Sequence, residues 1–136
     1  MEIIIDTDVV IAGERGVFDL EAWLALQASQ LAVSAITVAE LWHGVERASA
    51  NRKPRRQRYI ETFLSRIVVH PYTEHTAYVH AGLLATQKTS GAGIGAYDLI
   101  IAATAIYRSA AVATFNTRHF SLIAGLEVIH PATPGR

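Results

Sequence analysis

The apolar positions of this chain fall into short uniform runs and longer one-sided stripes, which alternate along it. Ile3-Ile4-Ile5 lies between Glu2 and Asp6, a β-branched run that predicts a buried strand ending at a carboxylate and feeding a loop. From Asp19 to Ala28 the apolar residues Leu20, Trp23, Leu24 and Leu26 suit a helix capped by Asp19, and Leu31 to Ser34 predicts a second strand. Val38, Leu41, Trp42 and Val45 repeat at the spacing of one helical face, so a helix is expected just after Thr37, with Glu40 in its first turn. The polar, basic and Pro-broken stretch Asn51 to Arg58 leads into a helix carrying Tyr59, Ile60, Phe63 and Leu64. Ile67 to His70 predicts a strand and Thr73 to about Lys88 a long helix, with a mobile loop at the glycines 91, 93 and 95. Asp98 opens LIIAATAIY, apolar on nearly every side and therefore a central helix. Ala111 to Phe115 predicts a strand ending at Asn116, and Glu127 to Ile129 a last one.

Short, uniformly apolar strands alternating with helices predict an α/β fold in which a parallel sheet is covered on both faces. Ligands of such sheets bind beyond the carboxyl ends of the strands, which is where Asp6 and Asn116 fall. With 136 residues, 51% of them hydrophobic, the chain has the size of one domain, expected to span 1–136. Twelve basic residues balance twelve acidic ones, so no global field draws the protein to nucleic acid or membrane. Five of the positive charges nevertheless crowd into Arg52, Lys53, Arg55, Arg56 and Arg58. That group reads equally as a solvated helix entrance or as a contact for phosphate groups. The lack of cysteine excludes thiol nucleophiles, disulfides and sulfur-rich zinc sites. The start has neither the basic region nor the apolar core of a signal peptide, and no apolar run is long enough to span a bilayer. A cytoplasmic protein with no membrane contact is expected.

Each acid that stands out has an ordinary structural reading. Asp6 suits an Asx-turn at a strand exit. Glu40 completes a capping box with Thr37, and Asp98 suits the cap of the helix that follows it. All three, however, border the most apolar elements, on the side where a parallel sheet gathers its loops. Carboxylates clustered in a partly buried cleft with no basic partner in their own segments repel one another, and a hard divalent cation relieves this. Oxygen-only ligands point to Mg²⁺ or Mn²⁺ and to phosphodiester cleavage. Other metal patterns fail. Glu40-x-x-His43 has di-iron spacing, but its repeat Glu127-x-x-His130 lies in an expected strand, where the two side chains face opposite ways. No HExxH occurs, and Gly91-x-Gly93-x-Gly95 lacks the preceding strand of a dinucleotide site.

Four segments together, Ile3 to Asp8 (IIIDTD), Ser34 to Gly44 (SAITVAELWHG), Asp98 to Ala105 (DLIIAATA) and Thr114 to Phe120 (TFNTRHF), resemble the PIN-domain toxins of the VapC type, from end to end of the chain. The resemblance implies a three-layer α/β/α fold with a short central parallel sheet and an Mg²⁺- or Mn²⁺-dependent endoribonuclease. It further implies an RNA substrate, a cognate antitoxin that blocks the site, and a homodimer. Asp6, Glu40 and Asp98 match the three acids of the family site. Asn116 stands where many relatives carry a fourth aspartate, and can still ligate through its carbonyl oxygen. Asp8 replaces a more usual Asn or Ser, and strand alternation puts it on the side of Asp6 if the chain stays extended. The implied roles are Asp6 and Asp98 as metal ligands and Glu40 as the group that orients or deprotonates water. Thr114, Asn116 and Asp8 support them. An acidic cleft would also accept an Arg or Lys inserted by a partner. Two rival readings are an inactive PIN-fold binding module and, from IIIDTDVV alone, a haloacid-dehalogenase-like phosphatase with Asp6 as nucleophile.

Overall fold

The computed structural model describes residues 1–90 and 93–132; Gly91 of the expected glycine loop lies outside them. Twelve elements follow in chain order: β1 (Glu2–Ile5), α1 (Thr7–Glu14), α2 (Leu20–Leu26), β2 (Gln30–Ser34), α3 (Ala35–Glu46), α4 (Lys53–Leu64), β3 (Val68–His70), α5 (Glu74–Ser90), α6 (Ala96–Tyr107), β4 (Ala111–Ala113), α7 (Thr117–Phe120) and β5 (Val128–Ile129). All neighbouring strands are parallel, in the order β3-β2-β1-β4-β5, with Ile4 opposite both Ala32 and Val112. The chain therefore runs outward from β1 through β2 to β3, then returns to build β4 and β5 on the other side. The order reverses at β1 and β4, the crevice in which open α/β sheets hold their ligands.

Alternation along β1 divides the core. Ile3 and Ile5 pack with Val9 and Val10 of α1, Leu20 and Trp23 of α2, Leu41 and Val45 of α3, and Ile60 and Phe63 of α4. Ile4 faces the other way, onto Leu99, Ile101, Ala102 and Ala105 of α6, Phe120 of α7 and Ile123. Helix α6 is buried along most of its length because its small alanines let it lie close against β1 and β2. Among the described residues, no helix is long and apolar enough to cross a membrane.

Several local expectations change. The chain does not leave β1 into a loop: it turns at once into α1, whose β-branched Val9, Val10 and Ile11 had concealed a helix. Ser34, not Thr37, caps α3, its Oγ accepting from the Ile36 amide at 3.3 Å. Thr37 is thus a buried helical residue and Glu40 sits in the second turn, so there is no capping box. Asp98 is the third residue of α6, with Gly95 at the cap. The basic stretch also belongs to a helix, as the first turns of α4 with Pro54 at its start, where proline's missing amide costs nothing.

Two contacts lock α4 in place. Arg56 meets Glu14 of α1 at 2.6 Å and donates to the Gly44 carbonyl of α3 at 3.1 Å. Gly13 of α1 lets Tyr59 of α4 and Leu20 of α2 pack close, because a Cβ there would stand 2.6 Å from Tyr59 Oη and 2.7 Å from Leu20 Cβ. Gly13→Ala is expected to lower stability by about 1–3 kcal/mol through this overpacking. A melting temperature equal to wild type would show that α2 and α4 yield without cost.

Candidate active site

Asp6 stands one residue past β1. Its amide donates to the Ala113 carbonyl at 2.9 Å, which extends the β1–β4 ladder and sets Asp6 beside Thr114. Its carboxylate caps α1, Oδ1 accepting from the Thr7 amide at 2.8 Å, while Oδ2 accepts from the Thr114 hydroxyl at 2.7 Å. Thr114 is fully buried, and its oxygen in turn accepts from the Asn116 amide at 2.9 Å. One threonine hydroxyl therefore ties the ends of β1 and β4 together.

Asp8 reaches the same place by another route than expected. The chain is not extended here; Asp8 lies in the first turn of α1, and helical winding carries its carboxylate toward β4. Its Oδ2 accepts from the Phe115 amide at 3.1 Å. Its Oδ1 is buried and has no hydrogen-bond partner among the described residues. Leaving a polar oxygen buried and unpaired costs about 1–3 kcal/mol, and more if it is charged, so this atom marks where a cation or donor belongs.

Glu40 comes in from α3. Its Oε1 lies 2.6 Å from Thr7 Oγ1, which is also 3.0 Å from Thr37 Oγ1. With one proton to give, Thr7 donates to the carboxylate and accepts from Thr37. Asp98 comes from the first turn of α6, where the Asn116 side-chain amide and His119 partly offset the rise of its carboxyl. That amide nitrogen is also 3.1 Å from His119 Nδ1.

The electrostatics join the four acids into one field. Burial, then the negative charge of Asp8, pushes the Asp6 carboxyl up to about 8, with Asp98 adding to the effect. The Asp6 and Asp8 carboxylates flank the same Thr114 hydroxyl, at 2.7 and 3.4 Å. Burial raises Asp8 as well. Glu40 is raised by burial and by the charges of Asp98 and Asp8; Asp98 is raised by burial and by Asp8. Among the described residues neither Lys nor Arg relieves these charges, though His119 lowers Asp98 in part. Among the described residues, however, no three His, Asp or Glu side chains converge as a closed metal cage. Thr7 holds Glu40, and the acids share a cleft without meeting at one point. The donor set still suits a hard cation: oxygen ligands only, raised carboxyls, and a buried oxygen with nothing to bond.

Every residue singled out from the sequence, Asp6, Asp8, Glu40, Asp98, Thr114 and Asn116, lies in this region. Sequence reasoning missed Thr7 and His119. Thr7 stands inside the Asp-Thr-Asp motif, but its role depends on α1 starting there, which the apolar pattern hid.

A PIN-domain family model matches residues 3–126. Ribonuclease VapC of Rickettsia bellii is 34% identical over 130 residues, 95% of this chain and 96% of the relative. The tRNA(fMet)-specific endonuclease VapC of Salmonella typhimurium is 34% identical over 104 residues, 76% of each. Among solved structures, VapBC2 from Rickettsia felis, bound to a DNA fragment from its promoter, superposes with a TM-score of 0.87 at 25% identity, covering 97% of this chain and all of that one. The four acids of the cleft thus stand near the switch point of a fold shared over most of its length with these proteins, and the chain belongs to the PIN-domain family.

Proposed function

We propose that this chain is the endoribonuclease toxin of a toxin–antitoxin pair, that it needs Mg²⁺ or Mn²⁺, and that its antitoxin acts by covering the acidic cleft. The observation that carries the reading is the shared field of Asp6, Asp8, Glu40 and Asp98 between β1 and β4, with Asp8 Oδ1 buried and unpartnered. The names of the relatives, ribonuclease and endonuclease, agree with it.

Asp6 and Asp98 would hold the cation, with Asp8 and the Asn116 side chain beside them. A bound divalent ion supplies positive charge to the phosphoryl oxygens and acidifies water. The rest is the work of the chain. Thr114 fixes Asp6 through its hydroxyl, and the Phe115 amide fixes Asp8. Thr7 holds Glu40 in one rotamer. Burial and the neighbouring acids make Glu40 a better proton acceptor than an exposed glutamate, which suits it to take the proton from the attacking water. Attack in line on phosphorus leaves a 3′-hydroxyl and a 5′-phosphate, and the RNA 2′-hydroxyl takes no part. The working unit is taken to be a homodimer.

End-mapping of RNA cut by the purified chain with Mn²⁺ tests this. Fragments with 5′-phosphate and 3′-hydroxyl ends are expected. Cyclic 2′,3′-phosphate ends would contradict the water mechanism, and RNA left intact would favour the inactive binding module.

A further inference from the structure

The basic group at the start of α4 is joined by surface depressions to Glu40, one of the four cleft acids. Three adjoining depressions, of about 90, 480 and 600 Å³, all have Glu14 and Arg56 in their walls. The smallest begins at Glu40 and passes Arg15; the second is walled by Arg15, Arg52 and Arg55; the largest continues past Arg55 to Arg58. Together they form a groove leading from the cleft along the surface between α1 and α4.

The charge of this groove is unbalanced. Beyond Glu40 its two acids are already engaged, Glu14 with Arg56 and Glu21 with Arg66, each at 2.6 Å. Arg15, Arg52, Arg55 and Arg58 are exposed and make no ion pair with any described residue. Arg52, Arg55 and Arg58 recur at every third residue, a rise of about 4.5 Å each. Evenly spaced guanidinium groups, free to bond and anchored on a helix that Arg56 pins from beneath, suit a chain of regularly spaced anions.

We infer that this groove is the track along which single-stranded RNA lies, with Arg15, Arg52, Arg55 and Arg58 contacting backbone phosphates on one side of the scissile bond and delivering it to Glu40 and the neighbouring aspartates. The inference deepens the nuclease reading and rests on it. These arginines are positioning residues: they hold the strand and leave the bond-breaking groups untouched. They contact phosphate and not base edges, so the track binds without reading sequence.

The test is binding of the full chain to a short fluorescein-labelled oligouridine in EDTA, by anisotropy, over about 50 to 200 mM salt. Losing three phosphate contacts in the Arg52→Gln, Arg55→Gln, Arg58→Gln variant should flatten the log–log salt dependence by about 2 and weaken binding at least about tenfold at the low-salt end. The corresponding triple Lys variant should keep most of the affinity. With Mn²⁺, the triple Gln variant should raise KM and leave kcat unchanged. Arg15→Gln, on α1 instead of α4, should lose affinity in the same way, which removes dependence on the folding of α4. Unchanged affinity and unchanged salt slope in both variants would overturn the inference. So would unchanged RNA binding accompanied by lost binding of polyglutamate, which would make the groove a seat for an acidic protein segment. Salt-sensitive binding that the variants lose, in a wild-type chain that never cuts RNA, would keep the track and sink the nuclease reading. Cutting and binding that the variants do not alter would do the reverse.

Discussion

Asp98→Ala is expected to lower RNA cleavage by at least about 10³-fold and to melt no lower than wild type. The first effect follows from removing a charge at the centre of the field, since groups that act as a unit fail together when one is lost. The second follows from the same field. Asp98 is raised by burial and by Asp8, so its charge is held at a cost that alanine removes. The opposing loss is the favourable placement of an acid in the first turn of α6, worth about 0.3–1 kcal/mol. Most active-site variants confuse chemistry with folding, whereas this one separates them. Cleavage assays beside thermal melts check it: full activity would remove Asp98 from the site, and a collapsed melt would make Asp98 a structural residue.

The metal-free protein is expected to lose stability as pH rises from about 4 to about 8, and a divalent cation to restore it. In the unfolded chain Asp6 releases its proton near 3.8, whereas in the fold it holds it to about 8. Between these values the folded state binds more protons than the unfolded state, so each step up in pH favours unfolding, on the order of 1 kcal/mol per unit from Asp6. Asp8, Glu40 and Asp98 are shifted in the same direction. Below about 4 both states are protonated and the penalty vanishes. A cation takes the place of the proton. At a concentration of about 100 Kd it adds about 2.7 kcal/mol, a rise in Tm of about 10 °C for a chain of this size. Thermal melts with and without Mn²⁺ at pH 5 and pH 8 measure this. The gain should be larger at pH 8, and an equal gain at both would place the ion away from these carboxylates.

The layout was legible because burial wrote it plainly. The isoleucines after Glu2, the alternating Ala32 and Val33, and the all-round apolar α6 permit little besides a parallel sheet packed on two sides. The site was legible because acids at the ends of such elements have few structural excuses. What failed was local. Val9, Val10 and Ile11 are β-branched and follow three isoleucines, so nothing in their periodicity separates α1 from β1; only the turn at Asp6 does. Asp8 was placed beside Asp6 by a strand argument, and a helix put it there instead. Thr37 and Ser34 are both fair caps for α3, and the choice fell to Ser34 because Thr37 is drawn inward toward Thr7. That shift of one turn frees Glu40 from the backbone and gives it to the cleft. The cluster in which buried Glu2 meets buried His70 and exposed Arg108, each at 2.7 Å, has no sequence signal, since its members are far apart in the chain.

Titration calorimetry of the metal-free chain with Mn²⁺ bears most directly on the claim that these acids form one cation site. Wild type should show saturable binding, tighter near pH 8 than near pH 5 and with more protons released at pH 5, and the Asp6→Asn, Asp98→Asn variant should show none. Saturable binding that survives unchanged in that variant, or no binding in the wild type, would contradict the account.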